Sequence, residues 1–468
     1  MFLSVTKVTD KFKQDQSLSL SYERIFTGTM DSTSNSGLAR LEEIGVVGAG
    51  GGGFPTAAKL RTRVSTLIVN AAECEPLLHK DKELLLHHSG PFFRGLSTAI
   101  GLVGATDGII GIKNKYSDII AEISRQASAS VRVQPLSDSY PAGDEFILVH
   151  DLLGRVIPPG GLPRDVDAVV VNVETLVNIG VDRPVTHKYL TVAGAMRTPM
   201  TLRVPVGMAI GEVIAAAGGA DVADFGVLLG GVMMAKSASS LDEPVTKTTG
   251  GIVVLPSDHK LLERYRAKWP KIAAIGRSAC DQCSFCTELC PRYLLGHPIQ
   301  PHRAMQSLGF TGKTEPMIVG TLYCCECNLC TLYSCPEDLD PKNVCVQAKP
   351  LARERGLVFK GRPEDVHPHP LMDSRRVPSR RLIARLGLSG FNNTGPLTDI
   401  PLEPARIAIP LKQHAGVAAV PVVKLGQPVQ VGDLLAAPPA GQLGARIHSS
   451  IAGRVREVDA NGAIVIEA

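Results

Sequence analysis

Aromatic side chains are scarce in this 468-residue chain, at 4%, with a single Trp. An excess of one charge sign is also missing: 49 Lys and Arg against 45 Asp and Glu leave a formal +4, too little at this length to argue for nucleic acid. Long hydrophobic runs are absent. The softest apolar stretch, Gly207 to Ala235, is broken by Glu212, Asp221, Asp224 and paired glycines, which excludes a membrane span. Met1 to Met30 scatters Lys7, Asp10, Lys11 and Lys13 and holds no apolar block of signal length. Outside residues 280–345 the one cysteine is Cys74, which does not fit a disulfide framework spread along a secreted chain. A reducing cytosol, with thiolates held by metal, is the better reading. The remaining composition, 44% apolar and 20% charged, excludes a disordered or fibrous chain. The 46 Gly and 33 Pro call for many loops and turns, and the length corresponds to about three domains.

Residues 1–37 read as an extension ending in the polar linker Asp31 to Gly37. Met30 is an alternative start, and an amphipathic targeting peptide is an alternative reading of residues 1–29. From 38 to 185, apolar runs such as Leu67-Ile-Val-Asn70, Gly108 to Lys113 and Ala168 to Asn172 alternate with helix-like segments. This is α/β texture, with strands covered on both faces. Residues 186–240 read as strand, turn, strand, helix, strand, and 241–275 as a connection. The cysteine block occupies 276–350, and 351–400, rich in Pro, Arg and Gly, reads as a linker. Residues 401–468 turn all-β, with short strands at Val429, at Gly453 to Val458 and at Ala463 to Ile466, and with Asn461-Gly462 as a hairpin signal. The fold class is multidomain α/β with an all-β C-terminal domain.

The cysteine block begins Cys280-x2-Cys283-x2-Cys286-x3-Cys290-Pro291, the spacing of bacterial two-cluster ferredoxins. Three thiolates on one tight loop take three corners of an iron–sulfur cube, and the fourth reaches the neighbouring cluster. A second run, Cys324-x2-Cys327-x2-Cys330-x4-Cys335-Pro336, is one residue longer in its last gap. The crossed arrangement assigns Cys280, Cys283, Cys286 and Cys335 to one 4Fe-4S cluster and Cys324, Cys327, Cys330 and Cys290 to the other. Two zinc knuckles are the competing reading, disfavoured by two triple runs that each close on Cys-Pro. Cys325 adjoins a ligand and is able to replace Cys324, and Cys345 reads as a buried thiol. Two such clusters form a one-electron wire.

Gly45-Val-Val-Gly48-Ala-Gly50-Gly-Gly-Gly53-Phe-Pro-Thr56 satisfies G-x-G-x-x-G, and Glu73 follows Gly53 by twenty residues, as in a dinucleotide-binding fold. Glycines let a backbone approach phosphate oxygens, and a helix begun at Pro55 presents its amides to the anion. The loop implies a phosphate ligand without naming it.

This loop, with Lys59, resembles the flavin loop of the flavoprotein subunit of respiratory complex I and of Rnf complex C subunits. Asn70-Ala-Ala-Glu73-Cys-Glu75-Pro76, Tyr140-Pro-Ala-Gly143-Asp144-Glu145 and Asn172-Val-Glu-Thr175 are similar to further segments of that family, in the same order. The resemblance implies FMN, with contacts at Gly48, Gly50, Gly51, Gly53, Phe54, Lys59, Asn70, Asn172 and Thr175. It implies NADH as donor, positioned near Phe54, Glu73 and Glu145, with Glu73 and Glu145 as the catalytic pair. Asp144 stands where the family turn has Glu, which puts that carboxylate's reach in doubt. Residues 186–240 resemble the family's soluble-ligand-binding β-grasp (SLBB) domain, and 401–468 its barrel-sandwich hybrid domain. The barrel's Ala437 to Gly444 tip has no Lys for a carried prosthetic group, so it reads as structural.

Rnf C subunits carry that barrel at the N-terminus, whereas here it follows the clusters. The order flavin, β-grasp, two clusters, barrel resembles the cobalamin reductases of propanediol-utilisation microcompartments. That resemblance implies electron flow from NADH through FMN and two 4Fe-4S clusters to cobalamin, reduced toward cob(I)alamin inside a cytoplasmic bacterial microcompartment. An adenosyltransferase and shell proteins are the implied partners, a homo-oligomer is allowed, and no membrane span is implied. The alternative is an Rnf-C-like protein that passes NADH electrons to a ferredoxin or other partner protein. No residue signals cobalt ligation: Asp258-His259 lacks the spacing and reads as a helix start. Cys74 reads as packing beneath the flavin, and Arg375, Arg376, Arg380, Arg381 and Arg385 read as a solvated face.

Overall fold

The computed structural model describes residues 32–358, 360–459 and 462–468. Most of the extension, Met30 included, and Asn461 of the hairpin signal lie outside the described residues. The polar stretch read as a linker becomes the first half of the helix Ser32–Glu43. Its second half buries Leu38 and Leu41, at 0% and 3% exposure, and that packing carries the polar residues before it into helix.

Strands β1 (Thr66–Ala71), β2 (Asp107–Lys113) and β3 (Val131–Leu136) are followed by the short β4 (Ser139–Tyr140) and by β5 (Ala168–Asn172). The parallel sheet runs β3-β2-β1-β5. Alternate residues serve two cores: Leu67, Val69, Val169 and Val171 face the helices Ser89–Val103 and Val173–Val181, while Ile68, Ile109 and Val170 face the helix Glu145–Leu153. Both faces are covered, so every strand is apolar throughout. The chain leaves β1 for β2 on one side and returns with β5 on the other, so a topological switch point opens at the carboxyl ends of β1 and β5.

The second unit comprises β6 (His187–Gly194), β7 (Met200–Pro205), the helix Ile210–Ala216, β8 (Phe225–Leu229), β9 (Lys236–Ser237) and β10 (Gly251–Pro256), in sheet order β7-β6-β10-β8-β9. Here the structure differs from the boundary drawn at 240. The connection supplies β10, the central strand, buried from Gly251 to Leu255. An apolar run between two turns is the same signal in a connection as in a buried strand. His259 caps the following helix, Lys260–Arg266, its Nδ1 accepting from the N–H of Leu261 at 3.2 Å.

The segment read as the 351–400 linker is also anchored. Strand β11 (Val377–Pro378) pairs antiparallel with β4, and Leu382 and Leu388 are fully buried. The arginine cluster is not a uniformly solvated face. Arg376 grips Asp151 through two nitrogens at 2.8 and 2.6 Å, while Arg375 pairs with Glu288 and Arg385 with Asp338, each at 3.2 Å. Arg380 and Arg381 are exposed. The C-terminal domain contains β12 (Arg406–Pro410), β13 (Val420–Pro421), β14 (Pro428–Val429), β15 (Leu434–Ala437), β16 (Ile447–His448), β17 (Gly453–Val458) and β18 (Ala463–Glu467). They form two sheets, β12-β18-β17-β14 and β13-β15-β16, around Ile409, Leu435, Val455 and Ile464.

One close approach fixes the flavin-side helices. A Cβ on Gly95 would sit 1.9 Å from the carbonyl oxygen of Leu176, and one on Gly180 would sit 1.8 Å from that of Pro91. Gly101, on the same helix Ser89–Val103, has open space. Gly95→Ala is therefore expected to destabilise the chain by about 1–3 kcal/mol through forced separation of the helices. Gly101→Ala should stabilise it by about 0.5–1 kcal/mol. Thermal unfolding of the two variants, with opposite shifts in melting temperature, checks this.

Candidate functional site

Asn70 and Asn172 pair directly in the β1–β5 register, at the carboxyl ends of the two strands that flank the switch point. Asn70 Nδ2 donates to the Gly143 carbonyl at 2.8 Å, and its Oδ1 accepts from Ala72 N–H at 3.2 Å. Asn172 caps the helix Val173–Val181, accepting from Glu174 N–H at 3.0 Å, and donates to Asp81 at 2.8 Å. The glycine-rich loop stands over this edge. Gly48 N–H meets the Phe54 carbonyl at 2.8 Å, and Ala49 N–H donates to Thr175 Oγ1 at 3.0 Å. The Ala49 carbonyl accepts from Lys188 Nζ at 2.8 Å.

The loop is thus held from beneath by a buried charge network. Lys188 pairs with Glu174, and Lys80 pairs with Glu174 at 3.3 Å and with Asp81 at 2.5 Å. Gly50 packs on Asn172, whereas a Cβ at Gly51 or Gly52 would meet nothing within 4 Å. Gly51, at φ +103°, adopts a backbone that only glycine takes readily. Next to this open cradle, Thr56 Oγ1 is buried and has no hydrogen-bond partner. An unfilled glycine cradle beside an orphaned hydroxyl at a switch point fits a phosphate-bearing cofactor.

At the rim, Phe54 is half-buried, and Lys59 pairs with Glu145 at 2.7 Å, both about one-third exposed. Glu73 accepts from Asp81 N–H at 3.3 Å. Burial and then the Asp81 charge raise its carboxyl to about 7. Glu75 has a different task. Its carboxylate accepts the N–H groups of Val232, Met233 and Met234 at 2.7–2.9 Å, which fastens the flavin-side domain to the β-grasp domain. Cys74 is half-buried beside Gly143, and burial pushes its thiol up to about 12. The barrel covers the loop's other flank: Ala415 N–H donates to the Gly53 carbonyl at 2.9 Å, and Lys247 Nζ donates to the carbonyls of Gly45 and Arg446 at 2.8 Å each.

The cysteines assemble in two groups. Cys280, Cys283, Cys286 and Cys335 line one cavity. Burial, then Cys335, Cys280 and Cys283, push the Cys286 thiol up to about 12. Cys290 lies near Cys325 and Cys324, and Cys327 lies near Cys325, Cys290 and Cys330. The two loops share one backbone pattern. Gln282 and Ser284 have φ of +57° and +67°, and Glu326 and Asn328 have +61° and +65°. These left-handed non-glycine residues occupy equivalent steps when Cys280 is aligned with Cys324. Left-handed backbone is costly and curls each loop about a centre, as a cluster requires. Buried thiols that resist ionisation also need metal charge to become thiolates, so the donor set fits iron–sulfur clusters. Cys324 bonds to the fully buried Cys345, while Cys325 leans toward Cys327.

One turn touches both sites. Gly143 is held by Asn70 and Glu145 by Lys59 on the flavin side. On the cluster side, Tyr140 donates to the Cys327 carbonyl at 2.6 Å, and Asp144 binds Arg292 at 2.9 Å. Asp144 also caps the helix Glu145–Leu153, accepting from Phe146 and Ile147 N–H at 3.0 and 3.2 Å. Sequence reasoning passed over Thr56, Asp81, Lys188 and Arg292 as site residues. Thr56 stood inside the glycine motif and Arg292 beside Cys290-Pro291, but Asp81 and Lys188 meet the loop only in three dimensions.

The fold and these sites define a flavin- and iron–sulfur-dependent oxidoreductase. The chain matches the Nuo51 FMN-binding domain over residues 41–181, the SLBB domain over 189–235, the 4Fe-4S dicluster domain over 279–340 and the RnfC barrel sandwich hybrid domain over 391–465. It is 40% identical to the cobalamin reductase PduS of Citrobacter freundii, covering 91% of this chain and 95% of that protein. It is 39% identical, over the same shares, to the cobalamin reductase PduS of Salmonella typhimurium. It is also 32% identical to the RnfC-type component of the Na+-translocating ferredoxin:NAD+ oxidoreductase complex of Acetobacterium woodii, over 57% of this chain and 60% of that one. The chain belongs to the PduS cobalamin reductase family. No helix among the described residues is long and apolar enough to cross a membrane.

Thr56→Val is expected to fold normally and to weaken FMN binding about tenfold, the loss of roughly one hydrogen bond to a charged group. Titration of the flavin-stripped variant with FMN, followed by quenching of flavin fluorescence, checks this.

Proposed function

We propose that this chain uses NADH to reduce cobalamin toward cob(I)alamin, working inside a bacterial microcompartment. FMN would be held by Gly48, Gly50, Gly51, Gly53, Phe54, Lys59, Asn70, Asn172 and Thr175. One 4Fe-4S cluster would be held by Cys290, Cys324, Cys327 and Cys330, and the other by Cys280, Cys283, Cys286 and Cys335. Bound FMN accepts a hydride and releases electrons singly, and the clusters carry them one at a time.

The observation that carries this reading is the Tyr140–Glu145 turn, which hydrogen-bonds to the flavin pocket on one side and to the Cys327 loop on the other. It supports an order in which the Cys290 set lies on the flavin side and the Cys280 set on the exit side. Cys283 is exposed, and Phe285 beside it is 49% exposed, as an exit to a docked acceptor needs. The equivalent backbone steps of the two loops support Cys324 over Cys325 as ligand. The names of the full-length relatives support a corrinoid acceptor.

At the donor end, Glu145 is held by Lys59, and Glu73 changes charge near neutral pH. Positive charge develops on the nicotinamide ring as hydride leaves, so an ionised carboxylate nearby favours transfer. The rate of flavin bleaching by NADH is therefore expected to rise with pH through about 7, where Glu73 ionises. In Glu73→Gln the profile should flatten. Stopped-flow absorbance across the pH range reads both.

The acceptor is tested anaerobically by mixing the FMN- and iron-loaded chain with NADH and then with hydroxocobalamin. The expected sequence is flavin and cluster bleaching followed by cob(II)alamin or cob(I)alamin bands. In Cys283→Ser, flavin bleaching should persist while corrinoid reduction falls at least tenfold. Bleaching without any corrinoid change would instead point to a protein acceptor.

A further inference from the structure

Arg292 is 8% exposed and follows Cys290-Pro291. Its Nη2 donates to Asp144 Oδ2 at 2.9 Å, and its guanidinium carbon lies 3.5 Å from the centroid of the Phe146 ring. The same group is within hydrogen-bond reach of the Cys325 thiol. Its Nε, in contrast, is buried without an acceptor. A buried charged N–H with no partner is costly, and it marks a place where an acceptor belongs. The groups that crowd it are Cys290, Cys324, Cys325 and Cys327.

We infer that Arg292 sets the reduction potential of the flavin-side cluster, supplying Nε–H to a sulfur of the Cys290 set while Asp144 tempers its charge. The inference rests on the ligand assignment proposed above. Each reduction adds one electron, and so one negative charge, to the cluster. A fixed neighbouring cation stabilises the reduced form, and hydrogen bonds to sulfur act in the same direction. The guanidinium stays protonated throughout, so no proton accompanies the electron. Arg292 is a positioning residue for electron transfer, and Asp144 couples it mechanically to the helix that begins at Glu145.

The two residues should act with opposite sign, which packing alone does not predict. Arg292→Gln removes the cation and is expected to lower the midpoint potential of one cluster by at least tenfold in its reduction equilibrium, about 59 mV for one electron. Asp144→Asn keeps the helix cap, because Asn caps as well as Asp, but removes the countercharge and should raise the same potential. Arg292→Lys keeps the charge and should stay closer to the parent chain. The measurement is an EPR-monitored redox titration of the full chain, after iron, sulfide and FMN contents have been determined. Opposite shifts confined to one cluster signal support the inference. Unchanged potentials at full loading, or equal shifts of both clusters, overturn it. If Arg292→Gln fails to load, Asp144→Asn decides by the presence or absence of its rise. A parent chain holding one cluster rather than two overturns the ligand sets, and the inference with them.

Discussion

The carboxylate of Asp144 has two obligations, and the relation between the two redox sites depends on its meeting both. One oxygen caps the helix Glu145–Leu153, and the other binds the guanidinium that follows Cys290-Pro291. Since Glu145 begins that helix and is paired to Lys59 beside the glycine loop, a single side chain ties the flavin rim to the cluster domain. Tyr140, earlier in the same turn, adds a second tie through the Cys327 carbonyl. Other contacts hold the turn in place. Strand β4 pairs with β11, Arg376 grips Asp151 on the capped helix, and Lys113 binds both Asp138 and Ser379. The segment between the cluster domain and the barrel therefore works as a strap.

A comparable economy holds the glycine loop. Open backbone cannot pack, so its orientation must come from polar contacts beneath it. Lys188 and Thr175 supply them at Ala49, and Glu174 and Asp81 neutralise the lysines. Burying such charges is expensive, and it is tolerated only where each is paired and hydrogen-bonded. The return is a rigid loop whose outer glycines stay bare. The barrel adds a wall on the far side, through Ala415 on Gly53 and Lys247 between Gly45 and Arg446. Burial depresses the Lys247 ammonium to about 7, so that contact is held largely by hydrogen bonds to carbonyls.

The cluster loops invert this logic. Their left-handed residues and buried thiols are unfavourable in the metal-free chain, and metal–thiolate bonds are the natural compensation. Cys345, fully buried against Cys324, completes the apolar wall of the flavin-side loop.

Much of this was legible in the residues. Spacing alone identified the cysteine runs, because ligand geometry is local and leaves a local pattern. The glycine loop, the apolar strands and the strand–strand–helix–strand order of the β-grasp unit were readable for the same reason. Strand β10 was not, since an apolar run says nothing of which sheet will accept it. The helix Ser32–Glu43 escaped too, because Leu38 and Leu41 impose it from the core and its own polar start does not. The functional difference between Glu73 and Glu75, neighbours in one motif, was equally hidden. One sits by Asp81 with a raised carboxyl, and the other is spent on three amides of another domain. The sequence by itself determined which chemistries this chain carries, since cofactor-binding motifs are short and contiguous. Tertiary structure alone decided how they connect, because the contacts among Asp144, Arg292, Tyr140 and Cys327 join residues far apart in the chain, and no local pattern records them.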